Sequence, residues 1–285
     1  MPELPEVETI VRSLRKLIVG YVLTGVKVYK ADMVKEGRRL LRRSVGEKII
    51  GVFRRGKYAV LKLSSGKHLL FHLGLTGRLI CSKPEAPLER HTHLRLALSR
   101  AACAPSPTRG LDRPADKEVR FSCLRRFGNV RLYASAEKAQ EFLSALGPDA
   151  LKISSSDFIS LTSGSRQRIK ALLLDQRKIA GLGNIYSDEA LFRAGIHPKR
   201  PAASLSQEKI KALHRTIRAT LRQAIRHFGS SVSDYMRPDG SIGEFQYFHR
   251  VYGREGKPCA KCGARIKRIK VGGRSTYFCP NCQKQ

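Results

Sequence analysis

Pro2-Glu3-Leu4-Pro5-Glu6-Val7-Glu8, directly behind Met1, decides how the chain is read. Apolar residues continue at Ile10, Val11, Leu14, Leu17 and Ile18, a helical spacing that Gly20 closes, with Arg12, Arg15 and Lys16 on the other face. Proline in a first turn and carboxylates beside the positive end of a helix are ordinary start signals. The same residues also carry a chemical reading. A methionine before a small residue is usually removed, which leaves Pro2 as a secondary amine. An α-amino group titrates near ~7.7–8.0, against ~10.4 for lysine, so roughly a tenth of it is unprotonated at pH 7. The helix dipole disfavours the protonated form a little further. A secondary amine that attacks a sugar carbon gives an iminium, a cation able to accept electrons from the sugar, and Glu3 stands beside it as an acid.

Charge narrows the substrate. Lys and Arg number 55 against 23 Asp and Glu, a formal net charge of +32 distributed through most of the 285 residues. Such a field binds polyanions, DNA or RNA first. A membrane partner is not expected, because neither a long apolar run nor a lipidation motif occurs, and the start lacks the pattern of a signal peptide. Of seven cysteines, four form two Cys-x-x-Cys pairs, while Cys81, Cys103 and Cys123 stand alone. That distribution fits a reducing cytosol and a metal rather than disulfides.

Outward from the first helix, short strand-like runs follow: 26–29, 48–53, 58–63, 68–73, 94–98 and 130–133, separated by Gly, Ser and Pro. They predict an antiparallel β-sandwich. Residues 101–118 hold Pro105, Pro107 and Pro114 and read as an exposed loop. Leu146-Gly147-Pro148-Asp149 reads as a hinge. Helical spacing then returns at Ile169, Leu172 and Leu173, at Ile185, Ala190 and Leu191, and over 206–228. The expected class is α+β and multidomain: a β-sandwich domain with the N-terminal helix over 1–135, a hinge over 136–150, a helical domain over 151–248 and a zinc finger over 249–285.

The strongest local signal is Cys259-x2-Cys262-x16-Cys279-x2-Cys282. Its spacing fits one tetrahedral Zn²⁺ on a β-hairpin. Four thiolates leave no open position for water, so the metal is structural. Between the pairs, Val271-Gly272-Gly273-Arg274 places an arginine at a Gly-rich tip, suited to a phosphate. Ala180-Gly181-Leu182-Gly183-Asn184 lacks a dinucleotide pattern and reads as a tight turn into a helix, where backbone amides and the Asn184 side chain can hold a DNA phosphate.

The start of the chain, the stretch 172–198 and the four cysteines, in this order, resemble the formamidopyrimidine-DNA glycosylases, bacterial base-excision repair enzymes. The resemblance implies a helix-two-turns-helix element and a basic cleft between domains that bends duplex DNA. It implies Pro2 as nucleophile, Glu3 as acid, Lys57 (in Arg54-Arg55-Gly56-Lys57-Tyr58, where it begins a strand) and Arg274 as assisting groups, and Glu6 as the residue ordering the N-terminus. An enzyme acting on a base takes it out of the stack. Leu75, Arg125 and Phe127 match the positions that fill the resulting void, and His91 matches a DNA contact. A flexible stretch from Ser230 to Phe248 is expected to cover the flipped base. The implied activity is that of a monomeric, cytoplasmic, nucleoid-associated glycosylase and AP lyase acting on 8-oxoguanine and formamidopyrimidines by β,δ-elimination.

The chain departs from the family pattern in places. Leu75 stands where methionine is usual, Cys123-Leu124 where Asp-Pro is usual, and Gly164 near a usual lysine, with Arg166 and Arg168 as candidate substitutes between which the sequence does not choose. Two other readings compete. An endonuclease VIII-like enzyme would use the same nucleophile on oxidised pyrimidines, though Leu4 favours the purine branch. A non-catalytic zinc-dependent DNA-binding protein would explain the charge and the cysteines but not the N-terminus.

Overall fold

A computed structural model of the chain describes residues 2–100 and 115–284. Met1, Cys103 and most of the expected 101–118 loop lie outside them. The chain forms two compact units, Met1–Ser144 with Phe228–Gly243, and Ala145–His227 with Glu244–Gln285.

In the first unit, α1 (Leu4–Ile18) buries Val7, Ile10, Val11, Leu14 and Ile18 completely. Two sheets share that core. One runs β1 (Tyr21–Val28), β7 (Thr92–Arg100), β8 (Lys117–Cys123), β6 (Gly77–Ser82), and is antiparallel throughout. The other runs β2 (Val34–Glu36), β9 (Asn129–Tyr133), β5 (His68–His72), β4 (Tyr58–Leu63), β3 (Ile49–Arg55). It departs from the expected antiparallel pattern only at short β2, which pairs parallel to β9. Phe71 of one sheet lies 5.8 Å from Phe121 of the other. A short helix, α2 (Arg38–Arg42), precedes β3, and α3 (Ala136–Ser144) packs on β9 with the Phe142 ring 5.5 Å from that of Tyr133. The expected 136–150 hinge is therefore helical in its first part, and the unit boundary falls at Ser144. Lys117 and Glu118, expected in a loop, open β8 because they pair with Leu98 and Ala97.

The second unit holds α4 (Ser155–Ser163), α5 (Ile169–Leu174), α6 (Asn184–Arg193), α7 (Gln207–Arg226) and the hairpin β10 (Lys267–Val271), β11 (Arg274–Phe278). Ser154 and Ser206 cap α4 and α7 by accepting from Asp157 N–H and Lys209 N–H. The expected helical domain over 151–248 is interrupted. Residues 228–243 group with the first unit because their hydrogen bonds run to α1 and β6. Among the described residues no helix is long and apolar enough to cross a membrane.

Candidate active site and nucleic-acid interface

The head of α1 is buried at Pro2, Glu3 and Glu6. Glu3 is the N-cap, with Pro5 in the first turn and a reciprocal capping box to Glu6. One oxygen of the Glu6 carboxylate accepts Glu3 N–H at 2.8 Å, and the other accepts Ser230 N–H at 2.8 Å, across 224 positions. The segment 228–243 is tied here and to the sandwich by hydrogen bonds. Tyr235 donates its hydroxyl to the Phe228 carbonyl, Pro238 accepts from Cys81 N–H, and Asp234 accepts from Arg78 Nε through its carbonyl. Burial, reinforced by the Glu6 charge, pushes the Tyr235 phenol up, so it stays a donor. Gly229 sits at φ +80°, where a Cβ would lie 2.8 Å from Glu6 Oε1. Gly229→Ala is expected to cost about 1–3 kcal/mol, measured by urea unfolding, and to loosen the Glu6–Ser230 contact; unchanged stability would refute this account of the strap.

Glu8, two residues further, sets the next element. Its carboxylate takes Arg12 Nε at 2.9 Å and Arg54 Nε at 2.8 Å, and Arg54 Nη1 donates to the Gly56 carbonyl at 2.9 Å. Burial pushes this carboxyl up, but the two arginine hydrogen bonds outweigh it and hold it below the usual carboxylate range. Gly56 and Lys57 form the two-residue turn between β3 and β4, with Arg55 paired to Tyr58 and Gly56 at φ +55°. Lys57 therefore belongs to the turn rather than to the strand expected of it, and its side chain is buried. Beside it, burial and the charges of Lys57 and Arg131 drive His72 down to about 4, so the imidazole is neutral at pH 7.

At one end of the sheets three segments converge. Leu75 lies on the turn between β5 and β6, half-buried. Arg125 and Phe127 lie on the exposed turn between β8 and β9, with the guanidinium 5.3 Å from the Phe127 ring centroid. His91 has φ +68° just ahead of β7 and borders a cleft of about 150 Å³ shared with Arg78, Arg90 and Leu124. The loop leading to it is held by buried Arg120, whose guanidinium donates to Glu118 and to the carbonyls of Lys83, Pro84, Ala86 and Pro87.

In the second unit, Gln176 shapes the Gly181-Leu182-Gly183 turn by accepting Gly181 N–H at 2.9 Å and donating to the Leu182 carbonyl at 2.7 Å. Gly183 caps α6. Asn184 uses a side-chain N–H on the Ser275 carbonyl, 2.8 Å away. Fully buried Lys170 also donates to Ser275 and to Thr276 Oγ1, and pairs with Asp188 at 2.6 Å. Burial pushes Asp188 up, to about 7, against the pull of Lys170. Asp188 also accepts Tyr277 N–H, and Glu189 accepts the N–H groups of Arg250, Val251 and Tyr252. Helix α6 is thus the spine on which β11 and residues 250–252 hang. Arg274 is exposed at the start of β11, after Gly272 and Gly273 at φ +57° and +73°. Arg166 and Arg168 are exposed ahead of α5.

The sulfurs of Cys259, Cys262, Cys279 and Cys282 all lie within 4.8 Å of one another. Three of the edges measure 3.4, 3.5 and 3.9 Å. A tetrahedron of thiolates about 2.3 Å from zinc has edges of about 3.8 Å. Lys261 N–H and Cys282 N–H point at Cys259 and Cys279 sulfurs, the outer-sphere donors such a site needs. The donor set fits Zn²⁺ and closes the coordination sphere, so the metal is structural.

Comparison with known proteins bears on all of these elements. The family profile described as the Formamidopyrimidine-DNA glycosylase N-terminal domain matches residues 1–130, and the H2TH domain of the same family matches 146–236. A third, the zinc finger found in FPG and IleRS, matches 256–285. The chain belongs to the formamidopyrimidine-DNA glycosylase family. The Formamidopyrimidine-DNA glycosylase of Desulforamulus reducens is 41% identical over 293 residues, covering 100% of this chain and 99% of that one, and the Bacillus subtilis protein is 38% identical with 99% of each covered. A crystal structure of a Lactococcus lactis FPG mutant in complex with a Fapy-dG containing DNA has a TM-score of 0.89 at 35% identity, with 100% of both chains covered. A structure of MutM in complex with carbocyclic 8-oxo-G containing DNA has a TM-score of 0.88 at 35% identity over the same coverage.

Within this family member, the first unit brings Pro2, Glu3 and Glu6 to one helix head, and Leu75, His91, Arg125 and Phe127 to one end of the sandwich. The second unit hydrogen-bonds Asn184 to the Ser275 carbonyl, one residue after exposed Arg274 in the chain. Sequence reasoning missed Ser230, Glu8 with Arg54, Arg120, and the Lys170–Asp188 pair. The signal for the last was present, as a lysine in the apolar face of α5 and consecutive acids in α6.

Proposed function

We propose that the protein is a bifunctional glycosylase and AP lyase that removes oxidised purines, 8-oxoguanine and formamidopyrimidines, from duplex DNA through a covalent intermediate on Pro2. The observation that carries this is the buried helix head, where Pro2 precedes a capping Glu3 whose amide is held by Glu6. Once Met1 is removed, the Pro2 amine attacks C1′ of the damaged nucleotide and the base leaves with its bonding pair. Glu3 gives a proton to the sugar ring oxygen as the ring opens, and the iminium forms between Pro2 and C1′. Loss of a C2′ proton then expels the 3′ phosphate, and a second elimination expels the 5′ phosphate, leaving a one-nucleotide gap. Lys57 and Arg274 assist by contacting sugar or phosphate.

Leu75, Arg125 and Phe127 fill the space vacated by the flipped base, an apolar wedge and a cation being suited to an unstacked step. His91, Asn184 and the amides at the head of α6 hold phosphates. The charge of +32 supplies sequence-independent affinity. The partner is duplex DNA with oxidised bases or abasic sites, bound by a monomer in the cytoplasm at the nucleoid. The structural Zn²⁺ fixes the hairpin that carries Arg274 and takes no part in bond making.

A second substrate class has support, because a wild-type Lactococcus lactis FPG was solved with an oxidized pyrimidine containing DNA. Single-turnover excision from otherwise identical duplexes separates the two. The purine reading expects faster release of 8-oxoguanine than of thymine glycol by at least about tenfold, a difference of 1.4 kcal/mol in transition-state binding. Clear preference for thymine glycol would overturn it.

A further inference from the structure

We propose that Cys123 is a positioning residue: its thiol clasps the two void-filling turns together and to the His91 segment, so that the three read the base opposite the lesion as one rigid edge. The inference rests on the roles proposed above for Leu75, His91, Arg125 and Phe127.

Cys123 ends β8, is fully buried, and lies where this chain departs from the family pattern. Every polar atom it has is used. Its N–H donates to the His91 carbonyl at 3.1 Å, and its carbonyl accepts from His93 Nε2 at 2.9 Å. Its sulfur accepts Gly128 N–H at 3.4 Å and stands 3.7 Å from Thr76 Oγ1. Thr76 Oγ1 in turn accepts Arg125 N–H at 3.0 Å, and its hydroxyl and the Cys123 thiol share one hydrogen bond in which either can donate. The turn bearing Leu75 and the turn bearing Arg125 and Phe127 are thus joined by a hydroxyl and a thiol. They also touch backbone to backbone. A Cβ on Gly74 would lie 2.4 Å from the Phe127 carbonyl carbon, and one on Gly128 would lie 2.9 Å from the His72 carbonyl oxygen.

Rigidity at this base matters because the tips are exposed. Leu124 and Phe127 are 57% and 56% exposed. Side chains that enter DNA from a mobile turn bear the ordering entropy on binding, whereas a fixed base removes it beforehand. A small, polarisable sulfur suits the place: it accepts the Gly128 N–H and shares a weak hydrogen bond with the Thr76 hydroxyl.

The test uses Thr76→Val, close in shape but without the hydroxyl, and Cys123→Ala, with Thr76→Ser and Cys123→Ser as conservative rescues. Two readouts are compared: the ratio of 8-oxoguanine excision opposite cytosine to that opposite adenine, and borohydride trapping on a single-stranded abasic oligonucleotide, which has no opposite base. Thr76→Val and Cys123→Ala are expected to shift the ratio at least about fivefold, the effect of one net hydrogen bond, and to raise the duplex KM. Single-strand trapping stays within about twofold, and the serine variants recover the ratio. An unchanged ratio, or equal loss on both substrates, overturns the clasp. A wild-type protein that traps no abasic strand refutes the reading of the site itself.

Discussion

Leaving any residue in front of Pro2 is expected to abolish the borohydride-trapped complex with abasic or 8-oxoguanine duplex. Acylation turns the secondary amine into a tertiary amide, whose nitrogen lone pair is delocalised into the carbonyl and cannot attack C1′. Removal of a covalent nucleophile elsewhere leaves only the rate that binding and electrostatics supply. A loss of at least about a thousandfold in base excision is expected by that precedent. Duplex affinity should change less than about threefold, since the phosphate contacts assigned to other residues persist. Mass spectrometry of the peptide–DNA adduct locates the bond. Pro2→Gly is the milder variant, because it keeps an α-amine but replaces the rigid ring; it is expected to trap more slowly. Undiminished trapping by the chain with its initiator methionine retained would end the assignment of Pro2.

Stripping the zinc, or Cys279→Ser, is expected to be the second large effect. The module around the cysteines has a small apolar core, Phe192, Val251, Cys259, Ile266 and Cys279, two of which are themselves ligands. Structural zinc in such modules supplies about 10–16 kcal/mol of folding free energy. Without it, β10 and β11 lose the anchor that presents Arg274. A charge-assisted hydrogen bond contributes about 1.5–3 kcal/mol. Duplex affinity is accordingly expected to fall at least about tenfold, read by fluorescence anisotropy alongside zinc stoichiometry. Helices α4 to α7 should survive in circular dichroism, and added zinc should restore binding to the chelated wild type. Unaltered affinity in metal-free protein would refute a zinc-held contact.

What could be read beforehand followed local rules. The spacing of Val7, Ile10, Val11, Leu14 and Ile18 gave α1, and the cysteine spacing gave the metal site, because both are set by near neighbours. Strand β8 escaped notice because Glu118 and Arg120 look solvent-facing. In the fold they are buried together, the carboxylate taking Arg120 Nε at 2.9 Å and Arg95 Nε at 3.2 Å. The turn position of Lys57 depends on register, which pairs Arg55 with Tyr58 and cannot be counted from composition. The partner of Glu6 is a backbone amide, and any residue type but proline at 230 would offer one. The Cys123 junction joins atoms from three separate segments, 74–76, 91–93 and 123–128, none of which marks the others.

The strap 228–243 has a consequence for inheritance and engineering. The polypeptide crosses between its two bodies three times, after Ser144, after His227 and after Gly243. A gene fragment ending at codon 144 would encode a body with its Glu6 carboxylate stripped of the Ser230 amide and part of its core side, Tyr235, missing. The first body is consequently not an interchangeable cassette: a cut after Ser144 leaves its strap on the other fragment, and fusion or permutation schemes must keep 228–243 with it or build the strap anew.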